Sequence, residues 1–176
     1  MELQLRADSL YNYIQNFKIQ ITILADGEHE VNERIAAGAD PTCHIQGNSN
    51  LDVTGQYAKV EGNGAVLREM VAYYRDYAAS LVETDAELRN SIVQTMATER
   101  GYNSHEKDSC DREVAVFDGM PVGASITILT KMQNDVRTTE SELIQYLMDR
   151  TDAGDWRVNK LNAYVIPNSN YVIRGG

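Results

Sequence analysis

The side chains able to do chemistry are few and scattered. Histidines stand at His29, His44 and His105, and cysteines at Cys43 and Cys110. No histidine follows a glutamate by three residues, so the Glu-x-x-His pattern of carboxylate-bridged metal bundles is absent. His29 lies between Glu28 and Glu30, and His44 adjoins Cys43, but no second ligand pair has the spacing of a zinc site. Cys43 with His44 or His105 offers the residue types of a nucleophile and base. Both cysteines sit in polar stretches with no recognisable oxyanion donors beside them.

Gly62-Asn63-Gly64 precedes a helical pattern and has the glycine content of a phosphate cradle. It lacks the Lys-Ser/Thr of a P-loop, and Glu61 and Glu69 would repel a phosphate, so it reads as the start of a helix. Tyr73, Tyr74 and Tyr77, with Arg75, resemble a stacking platform, yet Tyr74 and Tyr77 fall on the apolar face of that helix and read as packing. The carboxylates are spread along helix faces rather than paired in an apolar setting. The residues therefore nominate no catalytic group, cofactor or metal site, and the chain reads as a non-enzyme.

Cys43 and Cys110 permit one disulfide, each lying in one of two long irregular stretches. Such a bond would close a loop of about 67 residues and stabilise the chain by roughly 4 kcal/mol. It would also imply an oxidising compartment. The alternative is two unlinked thiols.

The elements that must position these groups are mostly helices. The longest pattern runs from Pro121, a good first helical residue, to Ala153, with Gly154 as a stop. Its apolar stripe is Val122, Ile126, Leu129, Met132, Val136, Leu143 and Leu147, widened by Ser125, Ile128, Ile144 and Met148, with Thr139 in the gap. A helix of that length reaches roughly 50 Å, longer than a compact domain of this mass is wide. This spine therefore predicts an elongated fold.

Before it, Leu3, Leu10, Ile14, Phe17, Ile21 and Leu24 form a heptad-like seam, with Asp26-Gly27 as a stop. A short helix over 28–37 ends at Gly38. Residues 38–64 read as irregular. Leu67, Met70, Val71, Tyr74, Tyr77, Ala78 and Leu81 mark the next helix, over 65–81. Thr84-Asp85-Ala86-Glu87 has capping-box spacing before a helix through Leu88, Ile92, Val93 and Met96. Residues 101–119 form a second irregular region. After the spine, 160–166 and 171–176 alternate like strands around a turn at Pro167. A lone hairpin is marginal in water, so these read as the start of a further domain that the chain does not include.

The expected fold is thus mainly α: an elongated antiparallel helical bundle with a long C-terminal spine, then a short β segment. The corresponding division is a helical domain over 1–157 and a linker with first strands over 158–176.

Net charge is −10, which disfavours nucleic acid and anionic membrane surfaces as partners. Hydrophobic residues make up 43% of the chain, enough for one sizeable core. No run approaches the roughly 18 apolar residues of a membrane span. MELQLRADSL lacks the apolar core and cleavage site of a signal peptide.

Three stretches carry a family resemblance: LYNYIQNFKIQI, then MPVGASITILTKMQNDVRTTESELIQYLMDRTDAGDW, then KLNAYVIPNSNYVIRGG. They resemble the gliding-motility protein M family, PorM/GldM, of the type IX secretion system of Bacteroidetes; residues 38–64 and 101–119 add nothing to the likeness. The resemblance implies the first, helical periplasmic domain of an inner-membrane-anchored protein that forms long dimers. It further implies a membrane helix that pairs with a small L subunit as a proton-driven motor, and downstream β-domains that reach an outer-membrane-associated ring of K and N subunits. The family's proton-coupling residues lie in the membrane helix, so none maps onto this sequence. The rival reading is a soluble helical module that holds a small ligand or peptide between its helices.

Overall fold

A computed structural model describes residues 2–97, 101–103, 108–110 and 116–162, with side chains over 2–97 and 116–151. The chain is mainly helical. In order come α1 (Glu2–Asp26), α2 (Glu28–Ala36), α3 (Val53–Gly55), a π-helical turn (Gln56–Val60), α4 (Asn63–Leu81) and α5 (Ala86–Thr95). Two short strands, β1 (Gly101–Asn103) and β2 (Asp108–Cys110), pair antiparallel with Gly101 opposite Cys110. The long α6 (Val122–Asn162) closes the described chain.

Burial follows a seven-residue rule in three helices. On α1 the buried positions are Leu3, Leu10 and Phe17, interleaved with Ala7, Ile14 and Ile21. On α6 they are Val122, Leu129, Val136 and Leu143, again seven apart, with Ser125 and Thr139 on the same side. On α4, Leu67 and Tyr74 alternate with Gly64, Val71 and Ala78. Such spacing keeps one stripe of a helix against its neighbour and gives the knobs-into-holes contact of shallowly crossing helices.

Direction follows from the contacts. Asp8 of α1 meets Arg137 of α6, while Gln15 and Lys18, further along α1, meet Gln133, so the two helices run antiparallel. Tyr13 donates to the carbonyl of Asn63 near the start of α4, and the Arg6 guanidinium stacks over Tyr73 and Tyr77 further along it. Hence α4 also opposes α1. Phe17 sits at the centre, edge-on to Tyr57 of the π turn at 4.8 Å and 5.6 Å from Phe117.

Several local expectations need correction. Gly154 does not stop the spine: α6 continues to Asn162, so residues 160–162, read above as extended, are helical. A single glycine costs a helix interior only about 1 kcal/mol relative to alanine, which its many bonded neighbours absorb. The stretch 38–64 is not irregular throughout, because residues 53–60 form α3 and the π turn and bury Thr54, Gly55 and Ala58. Within 101–119 the two strands pair. Leu24 leaves the α1 seam at 49% exposure, and Thr22 is buried instead. Asp85, not Thr84, caps α5, accepting from the Leu88 N–H at 2.9 Å.

The turn after α1 is locked by one carboxylate. Asp26 accepts from the Gly47 N–H at 2.8 Å, the Gln46 N–H at 3.2 Å and the Arg34 guanidinium, and its side chain has no solvent contact. Gly27, at φ +97°, lets the chain reverse into α2 immediately afterwards. Burial pushes the Asp26 carboxyl up, but the Gly47 N–H, Arg34 and the Gln46 N–H together hold it below the ordinary value. A depressed carboxyl stabilises the fold above its unfolded value of about 4, and that stabilisation is lost as pH falls through the folded value. Asp26→Asn is therefore expected to cost about 1.5–3 kcal/mol at neutral pH. The gap to the parent should close in melts taken below about pH 4.

Candidate functional site

The α1–α6 seam carries polar groups where its pattern calls for apolar ones. Lys18 lies between Ile14 and Ile21 on the α1 stripe and is only 5% exposed. Its Nζ donates to Gln133 Oε1 at 3.1 Å, and Gln133 Nε2 donates to Gln15 Oε1 at 3.1 Å and to the Tyr11 carbonyl at 3.3 Å. Burial lowers the pKa of the Lys18 ammonium, while the Asp40 carboxylate pulls the other way. One turn along, Arg137 bridges Asp8 at 2.7 Å and Glu140 at 2.8 Å and stacks over Tyr11. A buried lysine satisfied only at one axial position makes a slipped pairing costly, since any shift would strand the ammonium without its acceptor. These groups fix register; none is placed to act on a reactant.

A second joint lies at the other end of α4. The Tyr146 hydroxyl accepts from the N–H groups of Glu83 and Thr84 and from Arg150, and shares a 3.0 Å contact with the Thr84 hydroxyl. The Thr84 hydroxyl and N–H, with Arg150 and the Glu83 N–H, hold the phenol below its ordinary pKa against the opposing effect of burial. Arg150 also bridges Glu83 at 3.0 Å. The α4–α5 turn is thereby tied to α6.

Beside the first joint, on the side away from the second, α4 and α6 do not close completely. A cavity of about 260 Å³ lies between them, with Ile14 of α1, the end of α5 and the 116–117 turn completing its lining.

The residues singled out in the sequence occupy different places. Val122, Leu129, Val136 and Leu143 are buried, Ile126 and Met132 pack partly against the core, and Leu147 is half-buried. Met148 is 56% exposed. Cys43 is exposed and its thiol is free, close to Asp40; Cys110 ends β2 and its side chain lies outside the described residues. His29 is exposed beside Glu33, His44 adopts a positive φ of 53°, and His105 lies outside the described residues. Gly62, at φ +78°, caps α4, and Asn63 donates to the Tyr57 carbonyl. The expected strands beyond residue 162 also lie outside the described residues. Among the described residues no cluster of His, Cys, Asp and Glu is arranged for a metal ion, and no helix is long and apolar enough to cross a membrane.

Sequence reasoning missed Lys18, Gln133 and Tyr146. For the first two a signal existed: each is a polar residue at a stripe position, Lys18 four after Ile14 and Gln133 four after Leu129.

Compared with known proteins, the chain matches the family model described as the GldM N-terminal domain over residues 1–150. A search of curated proteins gave no match.

Proposed function

Since the chain belongs to the GldM family through that N-terminal domain, we propose that it is a periplasmic strut of the type IX secretion and gliding machinery. In this reading it carries force from a proton-driven inner-membrane motor towards the outer-membrane-associated ring. The observation that carries the proposal is α6: one helix of 41 residues, about 60 Å long, clamped against an antiparallel α1 by a seven-residue seam. A helix in which every interior backbone group is already bonded resists bending, and a seam with buried polar locks resists sliding. The elongated bundle supplies stiffness rather than chemistry, so the reading is non-enzymatic.

In this reading its partners are those that the family resemblance implies. They are a second copy of the chain in a homodimer, the L subunit through a membrane helix preceding this domain, and the K and N ring through β-domains following it. Residues 158–176 would then lead into the first of those β-domains.

The test is made in the full-length protein in its own host. Deleting the gene is expected to stop gliding and secretion of type IX cargo. Complementation with Thr138→Gly/Ser141→Gly, both exposed positions on α6, softens the helix by about 1 kcal/mol per site. It should restore much less secretion than Thr138→Ala/Ser141→Ala at equal protein level. Undiminished secretion after deletion would sink the family role, and equal rescue by the two variants would sink the strut. Among the described residues, the cavity beside α6 is a feature that favours a ligand-binding module instead.

A further inference from the structure

A pocket of about 260 Å³, open to solvent on one side, lies beside the longest helix, and concave, mostly apolar sites of this kind are where small ligands bind. Its walls are mostly apolar: Leu67 and Val71 on α4, Met132 and Val136 on α6, and Met96 and Phe117 line it, while Arg68 on α4, which is engaged and not free, adds a charged group. The two charged groups contributed by α6, Lys131 and Asp135, are bonded to each other at 2.5 Å, so their charges cancel.

The extent of the lining narrows the choice. Along α6 the lining runs from Ile128 to Val136, about 12 Å at roughly 1.5 Å per residue, and α4 follows it in parallel from Gly64 to Val71. A volume of 260 Å³ drawn out over that length leaves room for one chain abreast. An apolar cavity of about 150 Å³ holds a six-carbon ring, which scales to about ten carbons here. An extended backbone covers about 3.5 Å per three bonds, so a ten-carbon chain also spans close to the length of the lining. Length and volume agree on the same occupant.

We propose that this cavity binds an uncharged linear hydrocarbon chain of about ten carbons, lying parallel to α4 and α6. Burial of successive methylenes drives binding at about 0.8 kcal/mol each, up to the length the slot accepts. The chain would brace α4 against α6 near the starts of both helices.

Melting of the protein with two ten-carbon alcohols tests this. 1-Decanol is expected to raise the midpoint by a few degrees near its solubility limit, because a ligand that binds only the folded state stabilises it. 1-Adamantanol, compact rather than linear, is expected to give no rise. In the series 1-hexanol, 1-octanol, 1-decanol and 1-tetradecanol, the gain should grow to about ten carbons and then stop. Val71→Phe, which fills the slot, should abolish the 1-decanol shift; if that variant does not fold, Met132→Phe takes its place. Equal shifts with the two ten-carbon alcohols, no shift with 1-decanol, or an undiminished shift in a folded filled variant would each overturn the proposal.

Discussion

Leu143→Asp should unfold this domain readily, lowering the melting midpoint by about 10 °C or more. Leu143 is fully buried within the hydrophobic core. A carboxylate there loses its water, at a cost of at least about 4 kcal/mol. Val136→Asp is the informative comparison. Val136 is just as buried but lines the cavity between α4 and α6, where water can enter and solvate the new charge. It should therefore melt above Leu143→Asp and below the parent. Thermal unfolding followed by circular dichroism checks both. An unchanged melt for Leu143→Asp would remove α6 from the core, and equal melts would mean that the cavity gives no relief.

Phe17→Ala is the second large effect. Phe17 is buried where α1, the π turn and the 116–117 turn converge, with its ring edge-on to Tyr57 and beside Phe117. Removing the ring costs about 3–5 kcal/mol in lost burial and residual void. The two ring contacts account for about 0.5–1.5 kcal/mol apiece beyond area. Phe17→Leu keeps most of the volume and should cost well under half as much. Denaturant titration separates the two, and similar midpoints for both variants would show that the void collapses without penalty. The stretch 53–60 should respond first, because α3 and the π turn together span only eight residues and lean on Phe17 through Tyr57.

Legibility in the sequence followed the length of the periodic signal. On α1 the apolar steps over more than twenty residues exclude a strand, and the helix runs through Ile19, Ile21 and Ile23 despite their alternation. On α6 the same signal gave the helix but not its end, since Gly154 weakens a helix without breaking one. The segment 53–60 was invisible because VTGQYAKV has too few turns to show a period and contains a glycine. Its helicity comes from burying Thr54 and Ala58 against the long helices, a tertiary effect. The cap of α5 was misplaced by one residue because Thr84 and Asp85 are both good caps. Tyr146, sixty-two residues away, engages the Thr84 hydroxyl and leaves Asp85 for the helix.

The candidate site was least legible. Lys18 and Gln133 look like surface residues by type, and only their places on the stripes mark them. The cavity depends on the relative placement of five segments, which no local pattern encodes.

One consequence of the seven-residue spacing concerns handedness. A straight α-helix falls behind an exact seven-residue repeat by about 20° per heptad, so a pair that keeps the repeat must wind left-handed about each other. On α6 the repeat is held from Val122 to Leu143, three heptads, or about 60° of accumulated winding. Twisting the far end in the same sense tightens the seam, and twisting it the other way prises the stripes apart. Clockwise and anticlockwise torque therefore meet different resistance in this pair of helices.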